Sequence, residues 1–455
     1  MKLCRLYIQD FQQFRDFELD FTHPKTGEPL EKICFIGSNG TGKSMLLRLI
    51  QQAIELIEIN KAGTRFSSGK AYWFEFALTK GRHFIVSLPQ SPSLVIVVER
   101  EQADALLHFY GENRKGDQFN NLHKANHILD QAIVTSQQLF SKFPINQLIT
   151  SPAEVINNTL LQVTDVPQTT LNSALDAGRN SDKTVIVSAE TAVNFWNQLI
   201  YHSRERGRQR DEFENLPENL DKTKRQLTDE FDRANPKILD NLATLWNKIL
   251  DKTGLHFSVD NVRFPIQLTD NLLAYITLKS TGQTIAYNQL STGIRNFIFR
   301  IGHIYSLYFN RKIENGFLLV DEPENSLFPD FLLDLIRIYQ QATTDQTGQQ
   351  NTQLFFATHN PIIAAQFEPF ERVILDWNDT GHVSARRGTA PLGDDPNDLL
   401  VKDFDISSLV PEAGIAVWEH YLALKKQLRH TSNPVQEEPL ISEISRIGYD
   451  HNFPQ

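Results

Sequence analysis

Eight consecutive residues, Gly37, Ser38, Asn39, Gly40, Thr41, Gly42, Lys43 and Ser44, fit the pattern G-x-x-x-x-G-K-[ST] in full. The chemistry of that pattern is phosphate binding. Glycines let backbone N–H groups turn toward phosphate oxygens without Cβ clashes, Lys43 supplies a mobile positive charge, and Ser44 offers a hydroxyl to Mg2+. A second group of residues complements the first. Asp321 and Glu322 stand at the end of the apolar run FLLV at 317–320. Asp321 is placed to hold a Mg2+ shell, and Glu322 to orient and polarise an attacking water. Two adjacent acids at a buried strand end are costly without a cation, so the two motifs together imply hydrolysis at a magnesium-bound nucleotide phosphate.

These residues need particular elements to hold them. EKICFIG at 31–37 is a compact apolar run entering the glycine loop, and from Ser44 onward Leu46, Ile50, Ala53 and Ile57 form one stripe of an amphipathic helix. FLLV, LFFAT at 354–358 and RVILDW at 372–377 are continuous apolar runs, the pattern of strands buried on both faces. FLLDLIRIYQQ lies between the first two and reads as a helix, giving a right-handed strand–helix–strand unit. Residues 2–9 and 15–21 alternate with period 2 as an opening hairpin, and AYWFEFAL, HFIVSLP and SLVIVVE within 71–99 add three strands of an attached antiparallel sheet. From 103 to 182 helical stretches mix with Ser, Thr, Asn and Pro-rich loops; TVIVSAE at 184–190 is a short strand, and 191–254 is charged and mostly helical. Pro217 marks the tip of a short αα-hairpin without sustained heptads. The expected fold class is α/β, with a mixed and mainly parallel central sheet. Residues 1–102 and 256–390 are expected to form a bipartite nucleotide-binding domain, 103–255 a mostly helical insert, and 391–455 a C-terminal helical segment with a polar tail.

Composition narrows the partners. The chain has 455 residues and a formal net charge of −10, which argues against a surface built throughout to neutralise a phosphate backbone. The densest basic cluster is Arg204, Arg206, Arg208 and Arg210 in SRERGRQR, either a solvated helix face or a contact for nucleic acid or an acidic partner. Two cysteines, Cys4 and Cys34, are too few for a disulfide framework or a four-cysteine metal site, and both fall in apolar stretches as expected buried thiols. No run of ~18 apolar residues exists and the N-terminus lacks a signal-peptide pattern, so the expected location is cytoplasmic, away from membranes.

Read together, GSNGTGKS, DEPENSLFPD and FFATHNP resemble the ATP-binding-cassette (ABC-type) P-loop ATPases of the RecF/Rad50/OLD-like grouping, rather than transporter cassettes or AAA+ rings. The resemblance covers roughly residues 1–60 and 270–378. The opening IQDFQQF is similar to that grouping's I-x-N-F-R-x-F, with Asp10 in the usual Asn place, and Phe328 stands where DEPE-x-x-LHP has His. The resemblance implies ATP as the nucleotide and a signature sequence, found as LSTGIR at 290–295, from which Ser291, Gly293 and Arg295 cap the γ-phosphate held by a facing subunit. Thr292 and Ile294 depart from the transporter form. It implies that His359 reads the γ-phosphate, that Asn325, Ser326 and Leu327 cross to the facing subunit, and that a glutamine sits at the lobe junction, with Gln138 and Gln147 both near the right region. Two copies would then sandwich two ATPs head to tail.

OLD proteins carry a nuclease domain of the Toprim type after the cassette. Here Asp394, Asp395, Asp398, Asp403 and Asp405 lie in a loop-like stretch without the strand series such a domain needs, and read as a solvated acidic linker. An effector is therefore expected on a separate chain, as in the ATPase subunits of Septu, PARIS and retron-linked anti-phage systems. The alternative is a RecF-like DNA-repair ATPase that binds DNA directly. LSTGIR and DEPENSLFP argue against a transporter energiser.

Overall fold

The computed structural model describes residues 2–59, 72–78, 81–87, 95–97, 100–104, 146–150, 184–187, 205–235, 237–258, 276–285, 289–311, 316–325, 327–344, 350, 352–406, 412–431 and 434–451. Two sheets carry the molecule's centre. The first is antiparallel, in the order β2-β1-β4-β5-β6, from β1 (Lys2–Phe11), β2 (Phe14–Asp20), β4 (Tyr72–Leu78), β5 (Gly81–Ser87) and β6 (Val95–Val97). The second has seven strands in the order β14-β13-β3-β12-β11-β7-β8, built from β3 (Lys32–Gly37), β7 (Asn146–Thr150), β8 (Thr184–Val187), β11 (Gly316–Asp321), β12 (Thr352–Thr358), β13 (Arg372–Trp377) and β14 (Val383–Arg387). Six of these run parallel and β14 is the antiparallel edge; β9 (Leu255–Phe257) and β10 (Ile276–Leu278) form a separate ladder, and the short helices α5 (Pro329–Leu332) and α7 (Pro361–Ala364) follow β11 and β12.

The apolar runs fill both faces of the second sheet by period-2 alternation. Cys34, Ile36, Leu318, Val320, Leu354, Phe356 and Ile374 enter one core, where α3 (Ile238–Leu250), α4 (Thr292–Arg311) and α6 (Leu335–Ala342) pack. Ile33, Phe35, Phe317, Leu319, Phe355, Ala357, Val373 and Leu375 enter the other, against Leu46, Leu47, Leu49 and Ile50 of α1 (Lys43–Ile59) and the β1–β2 hairpin. Buried Gln353 on β12 joins the two sheets: its amide nitrogen donates to the Leu3 and Leu30 carbonyls at 2.9 and 2.8 Å, and its oxygen accepts from Leu3 N at 2.7 Å. A buried amide satisfied on both sides fixes the hairpin's register on the sheet.

Three expectations need correction. Within the span read as a mostly helical insert, the strand expected at 184–190 is β8, while β7, which pairs directly with β11 in the central sheet, was not expected. β7 is NQLIT, whose polar residues mask a strand when no neighbour is known. The expected polar tail contains α10 (Pro434–His451), an eighteen-residue helix beside α9 (Glu412–His430). Of its side chains Ile447 is buried, too little apolar signal for periodicity to show. The acidic stretch after 393 is no linker: Asp395 caps α8 (Pro396–Lys402), Lys402 pairs with Asp394 and Asp398, and Asp403 is fully buried against Arg372 at 2.8 Å.

Around Pro217, a helical segment over 205–214 and α2 (Lys224–Ala234) lie side by side, with Phe213 and Phe231 rings 5.6 Å apart. Among the described residues no helix is long and apolar enough to cross a membrane.

Candidate functional site

Strand register brings the motifs to one edge. Gly37 ends β3 opposite Leu375, Thr358 ends β12 opposite Ile36, and Asp321 ends β11 opposite Ala357. The three connections that follow these carboxyl ends carry the glycine loop, His359 and the acid pair, at the place where parallel sheets bind ligands.

Packing explains the glycines at two positions. At Gly42, φ is +96° and a Cβ would lie 2.3 Å from Gln13 Nε2 and 2.5 Å from Phe14 Cζ, so the β1–β2 turn presses directly on the loop. At Gly37 a Cβ would lie 2.5 Å from the Leu375 carbonyl oxygen. Ser38, Asn39 and Gly40 form the exposed crest, while Thr41 is buried beneath it, its hydroxyl donating to Ser38 O at 2.9 Å. Lys43 Nζ donates to the carbonyls of Gly37 at 2.7 Å and Ser38 at 3.1 Å. Burial pushes the Lys43 amine below its ordinary range, opposed by the charges of Asp321, Glu322 and Glu324. An ammonium ion that feels the charge of three acids, and whose hydrogen bonds among the described residues go to loop carbonyls, is poised to exchange those carbonyls for phosphate oxygens.

Ser44 and Asp321 meet: the serine hydroxyl hydrogen-bonds the carboxylate. Burial is the main force raising the Asp321 carboxyl above the usual range; Ser44, Lys43 and Arg48 counter it, and Glu322 adds to it. A hydroxyl and a carboxylate whose charged form is costly in place make a hard-oxygen donor set that fits Mg2+. Glu322 has φ +45°, uncommon for a residue with a side chain, and its N–H donates to Ala357 O at 2.9 Å. The chain thus turns sharply as it leaves β11.

His359 lies beside a residue that the sequence reading did not single out. Glu324 is 7% exposed; its Oε1 accepts from Thr358 Oγ1 at 2.6 Å and His359 N at 3.3 Å, and lies 3.6 Å from His359 Nδ1. Burial pushes the Glu324 carboxyl up and the Thr358 hydrogen bond pulls it back. In sequence Glu324 is one more acid in a polar turn; only its burial sets it apart.

The signature residues begin α4. Ser291 is exposed, and its Oγ accepts from Ile294 N at 3.4 Å while its carbonyl accepts from Arg295 N at 3.0 Å. Gly293 is buried, and Arg295 donates to Thr292 Oγ1 at 3.3 Å. The described hydrogen bonds of Ser291 thus stay within its own helix start, away from the glycine loop. Gln147 pairs with Phe317, four residues before Asp321, roughly 13 Å down the strand from the acid pair. Gln138 and Ser326 lie outside the described residues.

The basic cluster is neutralised where it is described. Arg206 pairs with Asp232 at 2.5 Å, Arg208 with Glu205 and Glu212, and Arg210 with Glu214 at 2.8 Å; Arg204 lies outside the described residues. Both cysteines are buried and neither is in a disulfide.

No curated protein matches the chain. Residues 1–364, a span that holds the glycine loop, the signature, the acid pair and His359, match the AAA ATPase domain, and the chain belongs to that family of nucleotide-binding ATPases.

Proposed function

We propose that the protein is a magnesium-dependent ATP-hydrolysing switch that works as a head-to-tail pair and controls a separate nuclease or toxic effector in anti-phage defence. The observation that carries the reading is the convergence of Lys43, the Ser44–Asp321 contact, Glu322 and His359 at one sheet edge, while Ser291 starts a different element. Lys43 would trade Gly37 and Ser38 carbonyls for phosphate oxygens, and Ser44 and Asp321 would hold Mg2+, which neutralises charge on those oxygens. Glu322 would take the proton of the attacking water, and His359 would sense the terminal phosphate. Ser291, Gly293 and Arg295 of a second copy would close over that phosphate, so hydrolysis removes the contacts that hold the pair together. The paired arginines of the 205–214 segment supply little free positive charge for duplex binding, which favours an effector protein over DNA as the partner.

The test has two parts. Lys43→Ala is expected to abolish nucleotide binding, and Glu322→Gln to accumulate an ATP-bound dimer visible as a doubled mass in light scattering. A monomeric Glu322→Gln protein, or one that still hydrolyses ATP at the wild-type rate, refutes the pairing or the base. Co-purification with a co-encoded nuclease supports the effector role; salt-sensitive, ATP-dependent DNA binding by the protein alone overturns it.

A further inference from the structure

We propose that Glu324 is a positioning residue for His359, holding the ring so that Nε2 faces the terminal phosphate of the bound nucleotide. The inference rests on the ATPase reading and deepens it. Glu324 reaches from the turn after the acid pair to the end of β12, where one oxygen, Oε1, takes the Thr358 hydroxyl at 2.6 Å, the His359 N–H at 3.3 Å and the approach of His359 Nδ1 at 3.6 Å. Its other oxygen, Oε2, is buried with no hydrogen-bond partner among the described residues. A half-satisfied buried carboxylate costs native stability. Among the described residues its side-chain hydrogen bonds all run through Oε1.

Ring geometry supplies the consequence. The two imidazole nitrogens lie on opposite sides, so with Nδ1 turned toward the 7% exposed carboxylate, Nε2 is directed away from it, on a side chain that is itself 56% exposed. The 3.6 Å separation is longer than a hydrogen bond and has room to shorten when an anion engages Nε2. With Nδ1 toward the carboxylate and Nε2 toward a phosphate, each ring nitrogen would face its own acceptor. The same turn also fixes Glu322: Glu322 N donates to Ala357 O at 2.9 Å, Asn325 N to Glu322 O at 3.1 Å, and Leu327 N to Glu324 O at 3.0 Å. Glu324 thus ties the group that polarises water to the group that reads the phosphate, through one short stretch of backbone.

The experiment uses the full chain as wild type, Glu324→Ala, Glu324→Gln, His359→Ala and the Glu324→Ala/His359→Ala double variant. It reads kcat and KM for ATP, together with the ATP-over-ADP affinity ratio from displacement of a fluorescent nucleotide. Glu324→Ala is expected to lower kcat about ten-fold or more, as loss of an orienting partner does, with a much smaller change in KM. On the His359→Ala background it should add nothing, because both changes remove one coupled unit. Glu324→Gln keeps an acceptor for Thr358 and for His359 N–H and removes a buried charge, so it should melt at or above the wild-type temperature yet lose kcat and ATP preference. Wild-type kcat and ATP preference in Glu324→Gln, or a Glu324→Ala loss that is equally large without His359, overturns the proposal. If the wild type binds ATP without hydrolysing it, the ATPase reading fails and the positioning role is decided by the affinity ratio. Glu324→Ala must then bring that ratio to the His359→Ala level, and an unchanged ratio overturns the role.

Discussion

At Asp321, burial and the proposed magnesium binding pull in opposite directions. The raised carboxyl means that the native state takes up a proton more readily than the unfolded chain does. The resulting penalty is absent at pH below the ordinary carboxylate value of about 3.9, and is fully present above the raised folded value. Asp321→Asn should therefore raise the melting temperature of the nucleotide-free protein at pH 7, keep an acceptor for Ser44, and abolish magnesium-dependent hydrolysis. Thermal denaturation with and without Mg2+ checks this: a fall in melting temperature at pH 7 would show that the carboxylate stabilises the fold. Most of this residue set was legible from spacing, because the phosphate loop has a local pattern and the acid pair follows an apolar strand. Glu324 was not, since the sequence shows its charge but not its burial or its contact with the end of β12.

Among the elements, α4 begins with a capped serine to which the proposed pairing gives a second use. Ser291 caps the helix through Ile294 N, and in the proposed pair its exposure would leave the same end of the helix open to a phosphate held by the other subunit. Ser291→Ala is expected to cost about 1 kcal/mol of stability through the lost cap. It should spare nucleotide binding by the single chain while suppressing hydrolysis that depends on pairing. Denaturant titration and a nucleotide-displacement assay separate the two effects, and wild-type turnover would remove Ser291 from the composite site. Strands buried on both faces were readable from their continuous apolar runs. β7 was not, because NQLIT becomes a strand by pairing with β11, and α10 was not, because its apolar content is too sparse to set a helical period.

For the whole molecule, the segment after His359 is bound to the central sheet by a fully buried ion pair. Arg372 at the start of β13 meets Asp403 at 2.8 Å, and Asp403 also accepts from Thr389 N and Oγ1 at 2.8 and 3.0 Å. Removing one partner leaves a buried charge uncompensated, so Asp403→Ala should destabilise the protein by about 3–5 kcal/mol, whereas replacing both partners with apolar residues should cost much less. Equilibrium denaturation of the single and double variants tests the difference; equal losses would mean that Thr389 and packing, rather than charge, explain the effect. The pair also places the cluster of aspartates after 393 in the architecture, where the sequence offered only a run of acids.

The amino-acid sequence by itself determined the phosphate chemistry, the strand–loop–helix that presents it, and the parallel strands beneath, since each is written in neighbouring residues whose spacing matches a local geometry. Tertiary structure alone decided that the β1–β2 turn braces Gly42, that Glu324 grips the His359 loop, that Gln147 lies far down its strand, and that Arg206, Arg208 and Arg210 of the basic run and Asp394, Asp398 and Asp403 of the acidic run form ion pairs within the chain. Burial and charge pairing depend on which distant segments meet, and that information resides in the packed chain rather than in any one stretch of it.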